Sequence, residues 1–193
     1  MWTLNKNYTY IAETDSTNRL LKALLRDQPL PEGTVVRSGY QLAGRGQGSN
    51  RWESQKGRNL LCSILLRPIH VAIEEQFILS QMVALAILRS LQEALPEEAT
   101  AFNLKWPNDI YWNNRKLGGI LIENSLRGSA ITECIIGIGL NINQLQFCSD
   151  APNPVSLRQI SGRQHRVMEL LKSIHHHLFE YYNRIDYATI RNE

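Results

Sequence analysis

The chain has 193 residues, enough for one good-sized hydrophobic core, and its formal net charge is only +3. Its lysines and arginines are scattered rather than gathered in a run, which argues against a DNA-binding surface. Residues 1–6 contain no apolar signal core, and no later segment has the ~18 uninterrupted apolar residues that a bilayer span requires. These features predict a soluble, cytoplasmic, single-domain protein without membrane contact.

The cysteines and a histidine tract provide little sign of a metal centre. Cys62, Cys134 and Cys148 are odd in number and lack the short paired spacing of zinc ligands, so we expect reduced thiols in or near the core. The tract at residues 175–177, three consecutive histidines, lies in a helical pattern where successive side chains point about 100° apart. Three such rings cannot meet on one ion, which favours solvated or half-buried histidines.

The first predicted element is a helix. Asp15, Ser16 and Thr17 are residue types that favour a helix N-cap, and leucines at positions 20, 21, 24 and 25 form one apolar face behind them. We expect the helix to end near Asp27, because prolines follow at positions 29 and 31. The side chain of Ser16 or Thr17 should cap it.

A long glycine-rich loop, Gln41 to Gly57, lies between two predicted strands, Val35–Tyr40 and Leu60–Leu66. A loop of that length is usually functional or disordered. Its segment Gly44–Trp52 can turn backbone N–H groups and guanidinium forks toward phosphate or carboxylate oxygens. It is neither a Walker loop nor a dinucleotide fingerprint, because the Gly-Lys-Ser/Thr ending is absent and no helical pattern follows. Taken alone, it is equally well interpreted as a surface loop without function.

A helix predicted at Glu74–Leu95 has acidic residues in its first turn and an apolar stripe that should lie against a sheet. The segment Lys105–Gly119 then has the pattern of a β-hairpin, with a strand at Asp109–Trp112 and a turn at Asn113-Asn114. Such a hairpin brings the lysines at positions 105 and 116 beside the glycines at 118 and 119, where an anionic ligand can approach the backbone. A surface hairpin with solvated lysines is the competing interpretation.

Gly137 and Gly139 alternate with large apolar residues, so one face of their strand is bare and we expect another group to approach it closely. Because the predicted strands cluster around few helices without regular βαβ alternation, the sequence favours an α+β fold with a central mixed β-sheet flanked by helices. The elements predicted in this half of the chain are strands at Leu117–Ser125 and Thr132–Ile142 and helices at Val155–Ile160 and Val167–Ile185.

Five motifs, read in order, resemble the catalytic domain of biotin protein ligase, also called biotin-[acetyl-CoA-carboxylase] ligase, over residues 8–185. The resemblance implies a core like that of class II aminoacyl-tRNA synthetases. It also implies that biotin and MgATP form biotinyl-5′-AMP, from which biotin passes to a lysine of a biotin carboxyl carrier protein. Mg²⁺ should be carried by the ATP phosphates, since the sequence has no dedicated carboxylate cluster. The motifs are Thr14–Asn18, Gln41 with Gly44–Trp52, Lys105–Asp109, Lys116–Gly119 and Gly137–Asn141.

The resemblance also assigns residues to roles. Lys116 and Arg45 supply positive charge where the biotin carboxylate meets the α-phosphate, and Asp109 orients or deprotonates the incoming amine, unless it only caps a turn. Hydroxyl and amide groups suit the ureido ring, which has one acceptor and two donors. The biotin-binding candidates are Ser16, Thr17, Asn18, Gln41, Arg45, Gly46, Gln47 and Lys116. The ATP-binding candidates are Arg45, Trp52, Lys105, Asn108, Asp109, Gly119 and Asn141, with core anchoring as the rival role of Trp52.

The chain departs from the family pattern in its loop. Many members read Gly-Arg-Gly-Arg-x-Gly-Arg-x-Trp, whereas Gln47 and Asn50 replace two of those arginines here, so we expect weaker retention of the adenylate. We expect residues 1–193 to form one catalytic domain without the winged-helix domain or SH3-like barrel of larger relatives.

Two other functions remain open. One is a lipoate or octanoate ligase or transferase of the same fold, although the arginine and triple-glycine patterns of those enzymes are not seen. The other is a non-catalytic biotin-binding module. The sequence also leaves open a homodimer.

Overall fold

The computed structural model describes residues 7–148 and 153–184, and a seven-stranded mixed sheet forms its centre. The strands are β1 Tyr8–Ile11, β2 Val35–Ser38, β3 Leu60–Leu66, β4 Phe102–Lys105, β5 Asp109–Trp112, β6 Arg115–Arg127 and β7 Ala130–Leu140. The helices are α1 Thr17–Asp27, α2 Phe77–Ala94, α3 Leu157–Ser161 and α4 Val167–Arg184, and short 3-10 turns occupy Ile73–Glu75 and Pro96–Ala101.

The strand order is β1-β2-β3-β7-β6-β5-β4, and only β1 and β2 pair in parallel. Every residue of β3 is buried because both faces of the sheet are covered. On one face, Ile64 and Ile136 pack in the main core with α2 and α4. On the other, Leu65 packs with Leu21 of α1 in a smaller cluster. Burial on both faces explains why β3 is a continuous apolar run.

The structure confirms the predicted α+β class and most of the predicted elements. The helix predicted at Glu74–Leu95 begins with a 3-10 turn, and the segment Lys105–Gly119 belongs to two hairpins rather than one. Asn113 at the second hairpin turn has a positive φ of 49°, as its turn position predicted. The short strands β1 and β4 were not predicted. Residues 1–6 and Ile185, which also carried predictions, lie outside the described residues.

The buried cysteines were predicted correctly and the histidines were not. Burial raises the pKa values of Cys62 and Cys134 to about 12, so both thiols stay protonated at neutral pH. Cys148 is exposed, and the prediction was therefore wrong for this residue. The expectation of solvated or half-buried histidines is wrong for His175 and His177, which are buried because they face the interior rather than solvent.

A polar cluster joins α2 to α4 around His177. Its Nε2 lies 2.8 Å from Glu93 and its Nδ1 lies 3.2 Å from Glu180. Hydrogen bonds to His177 lower the pKa values of both carboxyl groups. His176, His177 and Glu180 bring potential metal-ligand atoms within 4.8 Å of one another. Both ring nitrogens of His177 already have carboxylate partners, however, so the cluster is complete as a hydrogen-bond network.

Within the described residues, the segment 73–94 alone has the length and composition to cross a membrane. In this fold 44% of its apolar window is buried inside the protein. Leu79, Val83 and Ile87 face the main core and are fully buried. The segment therefore packs as a core helix of this fold.

Candidate active site

A cavity of about 230 Å³ lies where the first turn of α1, the loop 41–52, the β5–β6 hairpin and β7 meet. Its lining includes twelve of the residues that the sequence assigned to the site. These residues are Ser16, Thr17, Asn18, Gln41, Arg45, Gly46, Gln47, Trp52, Asn108, Asp109, Lys116 and Gly119. Residues distant in sequence therefore form one site.

The start of α1 is not capped as expected. Ser16 occupies the N-cap position with an extended backbone, but its side chain makes no capping hydrogen bond. Instead, the Gln41 side-chain oxygen accepts from the Thr17 backbone N–H at 2.7 Å and lies 3.2 Å from the Thr17 hydroxyl. The loop thus supplies the cap. As a consequence, the Ser16 hydroxyl remains available to the cavity that it lines.

The bonds to Gln41 also fix the direction of its amide. A backbone N–H can only donate, so the oxygen of Gln41 must face Thr17 and the NH2 group must point the other way. The Asn18 amide is fixed in the same manner: its Nδ2 faces the Leu121 carbonyl oxygen at 3.3 Å and the Glu123 carboxylate at 2.7 Å. Both partners only accept. The polarity of these two amides is therefore set by the fold.

Asn18 and the floor of the cavity are tightly packed. The Ser63 hydroxyl lies 2.5 Å from Asn18 Oδ1 and 2.8 Å from Thr17 Oγ1. A Cβ atom at Gly137 would come within 2.6 Å of Asn18 Oδ1, so only glycine leaves room for this side chain. Asn18 is one of the groups that the bare strand face was expected to receive.

The second such group is Trp52. A Cβ atom at Gly139 would lie 2.7 Å from Trp52 Cε2, and one at Gly119 would lie 3.6 Å from Trp52 Cζ3. The indole therefore covers the glycines of β7 and β6 and anchors the end of the loop. Its Nε1 is buried and has no hydrogen-bond partner among the described residues. Trp52 thus closes the loop onto the sheet.

The loop 44–52 folds as a small hairpin above the cavity. The Gly46 N–H donates to Asn50 and the Trp52 N–H donates to Gly44, at 2.8 and 3.0 Å. These two amides are consequently used within the loop rather than presented to a ligand. Arg45 reaches across the opening, where its Nη2 lies 3.1 Å from Glu123 Oε1. The loop is held by its own backbone and by this ion pair.

At the end of the cavity that the β5–β6 hairpin lines, Lys116 and Asp109 form an ion pair, with Nζ and Oδ2 2.7 Å apart. Both side chains are about one-quarter exposed, 25% and 22%. The pairing follows from the β5–β6 hairpin, which places Lys116 opposite Tyr111, two residues after Asp109. Asn108 also lines this end, but its Nδ2 is bound to the Ile120 carbonyl oxygen at 2.9 Å. The lysine is therefore positioned by a carboxylate.

Two predicted site residues do not line the cavity. Lys105 is exposed at the end of β4, where it pairs with Asp109, and its Nζ lies 5.4 Å from the centre of the Tyr111 ring, outside the cavity lining. Its strand pairs with β5 in a separate hairpin that the sequence did not reveal. Asn141 is 4% exposed, and its Oδ1 has no hydrogen-bond partner among the described residues.

Two functional candidates escaped the sequence analysis. Glu123 binds both Asn18 and Arg45, and Ser63 connects Asn18 to Thr17. The sequence did contain a sign of Glu123, since this charged residue directly follows the apolar run Ile120–Ile122. Glu123 stands two residues after Leu121 and four after Gly119, which places it on the cavity face of β6.

Comparison with known proteins places this architecture in a family. The family model described as biotin/lipoate A/B protein ligase matches residues 10–141, more than half of the chain. The chain belongs to this family. The bifunctional ligase/repressor BirA of Bacillus subtilis is 35% identical over 145 residues, 72% of this chain and 43% of that protein. The biotin--[acetyl-CoA-carboxylase] ligase of Mycobacterium tuberculosis is 31% identical over 134 residues, 69% of this chain and 48% of that protein.

This family member spans less than half the length of those two relatives. A solved structure of the biotin protein ligase from Aquifex aeolicus, in complex with biotin and ATP, matches its fold with a TM-score of 0.78. The match has 29% sequence identity and covers 93% of this chain and 71% of that one. The fold expected from the sequence motifs is thereby confirmed.

Proposed function

We propose that this chain activates biotin with ATP to biotinyl-5′-AMP and then transfers biotin to a lysine of a biotin carboxyl carrier protein. One arrangement supports this assignment most directly. A neutral polar floor, formed by Ser16, Asn18 and Gln41, lines the same cavity as Lys116 and Arg45. Biotin combines the matching groups, a neutral urea and a carboxylate.

The hydrogen-bond polarity of the floor suits a urea. The NH2 group of Gln41 offers donors to a carbonyl oxygen, while the remaining lone pair of Asn18 Oδ1 can accept from a urea N–H. The uncommitted Ser16 hydroxyl can do either. A lipoyl or octanoyl group is apolar at this end and would displace water from these groups without replacing its hydrogen bonds, which is costly. The floor therefore favours biotin over the lipoate alternative.

In the activation step, a carboxylate oxygen of biotin attacks the α-phosphorus of ATP, and pyrophosphate leaves. Two anions must approach each other, so positive charge at their meeting point lowers the barrier. Lys116 lines the cavity near the turn of the β5–β6 hairpin, and its ion pair with Asp109 holds the ammonium group, which supports this role. Arg45 supplies further positive charge from the loop.

In the transfer step, the carrier amine attacks the carbonyl carbon of the adenylate, AMP leaves, and an amide bond forms. Asp109 binds Lys116 through Oδ2, which leaves Oδ1 to accept a hydrogen bond from the incoming amine. Asp109 and Glu123 beside the cavity are each paired with a cationic side chain. In this scheme Mg²⁺ would therefore be bound by the ATP phosphates rather than by these carboxylates. Asn141 and Trp52 are the remaining candidates for contact with the nucleotide.

A transfer assay tests the proposal. The chain is incubated with MgATP, a biotin carboxyl carrier protein domain and either biotin or lipoate, and the mass of the carrier is then measured by mass spectrometry. We expect a biotinyl adduct and no lipoyl adduct. A lipoyl adduct alone would assign the chain to the lipoate branch. Biotin binding without adenylate or adduct would make it a binding module, and absence of biotin binding would contradict the proposal entirely.

A further inference from the structure

Glu123 lies at the junction between the cavity floor and the loop that covers it. Its Oε2 accepts from Asn18 Nδ2 at 2.7 Å, and its Oε1 accepts from Arg45 Nη2 at 3.1 Å. One carboxylate thus contacts a residue of α1 and a residue of the loop, which are distant in sequence. Glu123 itself is absent from the cavity lining, so its influence must pass through these two partners.

The two contacts differ in character. The Arg45 and Glu123 side chains are 37% and 29% exposed, and an ion pair in such surroundings contributes little to folding stability. Asn18, in contrast, is only 4% exposed, and Gly137, Ser63 and β6 surround it except where it lines the cavity. The Glu123 carboxylate, at 2.7 Å, is the nearer of the two acceptors that determine which end of the Asn18 amide faces Ser63, the other being the Leu121 carbonyl oxygen at 3.3 Å. The benefit of the arrangement therefore lies in geometry rather than in stability.

Only a carboxylate serves both partners. Asn18 Nδ2 and Arg45 Nη2 are donors, so the bridging group must present two acceptor oxygens. A glutamine of the same length offers one oxygen and one NH2 group, and its NH2 group must oppose one of the two donors. Arg45 retains further N–H groups beyond the one that Glu123 holds, and these can bind an anion while the bridge persists.

We propose that Glu123 is a positioning residue that orients the Asn18 amide for the urea of biotin and holds Arg45 over the cavity for its carboxylate. This inference rests on the proposed function, since it names biotin as the ligand that both partners meet. The preformed bridge reduces the ordering cost of closing the loop on the ligand.

A double-mutant cycle on biotin binding tests this role. Dissociation constants are measured by calorimetry for the wild type, Glu123→Gln, Arg45→Gln and the double variant. We expect each single variant to bind biotin about tenfold more weakly, the usual scale for one charge-assisted hydrogen bond. Because Glu123 acts partly through Arg45, the double variant should lose clearly less than the product of the two single effects.

Two further measurements separate positioning from a general structural effect. Glu169→Gln is the matched control, because Glu169 also pairs with an arginine, at 2.9 Å, but on the exposed surface of α4; it should bind biotin like the wild type. Without any ligand, Glu123→Gln should speed hydrogen exchange at the Gly46 and Trp52 amides, whose bonds hold the loop hairpin.

The outcomes distinguish this inference from the function on which it rests. If the wild type binds biotin but Glu123→Gln binds it equally well, or if the two single effects multiply in full, the positioning role is wrong and the proposed function stands. If the wild type binds no biotin, the proposed function fails first. Because Arg45 is exposed and can be rehydrated, Glu123→Gln should retain the wild-type melting temperature.

Discussion

The candidate active site and the α2–α4 cluster both contain partly buried charges, yet they differ in what the fold leaves unused. Around His177, both ring nitrogens and the facing carboxylates Glu93 and Glu180 satisfy one another. In the cavity, the fold fixes the orientation of the Gln41 and Asn18 amides. The NH2 group of Gln41 and one lone pair of Asn18 Oδ1 are then left without a hydrogen-bond partner among the described residues. The Ser16 hydroxyl is also unused by the fold, because Gln41 rather than Ser16 caps the helix.

Unused hydrogen-bonding groups distinguish the candidate active site from the α2–α4 cluster more clearly than the presence of charged side chains does. The sequence drew attention to the histidine tract through its composition and to the lysine pair through its charge, and both signals were partly misleading. What separates the cavity from the cluster is oriented hydrogen-bonding capacity beside a positioned cation. The cluster should therefore influence stability and its pH dependence, while the cavity should influence binding and chemistry.

The largest effect should come from Lys116→Ala. We expect adenylate formation to fall by about 100- to 1000-fold, the usual cost of removing a group that stabilises developing charge in a transition state. The fold should persist, because Lys116 is partly exposed and its backbone hydrogen bonds remain. Pyrophosphate release in a single turnover measures the step. Lys172→Ala, an exposed lysine on α4, is the control and should react like the wild type.

If Lys116→Ala formed the adenylate at more than half of the wild-type rate, Lys116 would not be the catalytic cation that distinguishes the cavity from the α2–α4 cluster. A circular dichroism spectrum must accompany that result, since an unfolded variant would also be inactive. Lys116→Arg adds a second comparison: it keeps the charge but changes the geometry of the pair with Asp109. We expect it to be intermediate.

The sequence predicted the long elements because their periodicity is strong, and it missed β1 and β4 because four residues show almost no period. β1 also pairs in parallel with β2, a non-local contact for which the sequence contains no hairpin turn as a signal. The site was predictable through its motifs, down to the bare face at Gly137 and Gly139. Its internal partners were not, because the pairing of Glu123 with both Asn18 and Arg45 exists only once three segments are packed together.

On the same helix as the α2–α4 cluster, two residues before His177, the buried His175 should make a large contribution to the pH dependence of stability. Burial lowers the pKa of His175 from 6.5 to about 4. Between these pH values the unfolded chain binds a proton that the folded chain does not, so stability is greatest above pH 6.5 and falls as the pH decreases toward 4. At about 1.36 kcal/mol for each pKa unit, the loss reaches about 3 kcal/mol.

His175→Gln should flatten this part of the curve of unfolding free energy against pH, as measured by urea unfolding. Its matched control is His176→Gln, since His176 is the exposed neighbour on the same helix and contributes least to the lowered pKa of His175, so the slope should change far less. Equal slopes in all three proteins would show that His175 does not control this range. Biotin affinity should be unaffected by either variant, in keeping with the separation of the two regions.

Gly137→Ala should destabilise the protein by about 1–3 kcal/mol, the range for overpacking a close contact. Its new methyl group would lie 2.6 Å from Asn18 Oδ1, and the Asn18 side chain cannot easily move away because Oδ1 accepts from Ser63 and Nδ2 donates to Glu123. Gly119→Ala is the steric control, because the nearest atom to its methyl group is 3.5 Å away. Denaturant unfolding should show a clear loss for the first variant only, and similar losses for both would contradict the close packing of Asn18.

The smallest effect concerns the loop, where Gln47 and Asn50 stand in place of arginines that many family members carry. Gln47→Arg restores one positive charge to the cavity lining and should slow dissociation of the adenylate about threefold, a modest effect because the site is partly open to solvent. Retention of labelled adenylate in a chase experiment measures it. Gln55→Arg, an exposed change outside the cavity lining, controls for net charge. If both variants retained the adenylate equally, overall charge rather than the loop would govern retention, whereas a response of Gln47→Arg alone, suppressed by high salt, would locate the effect in the loop.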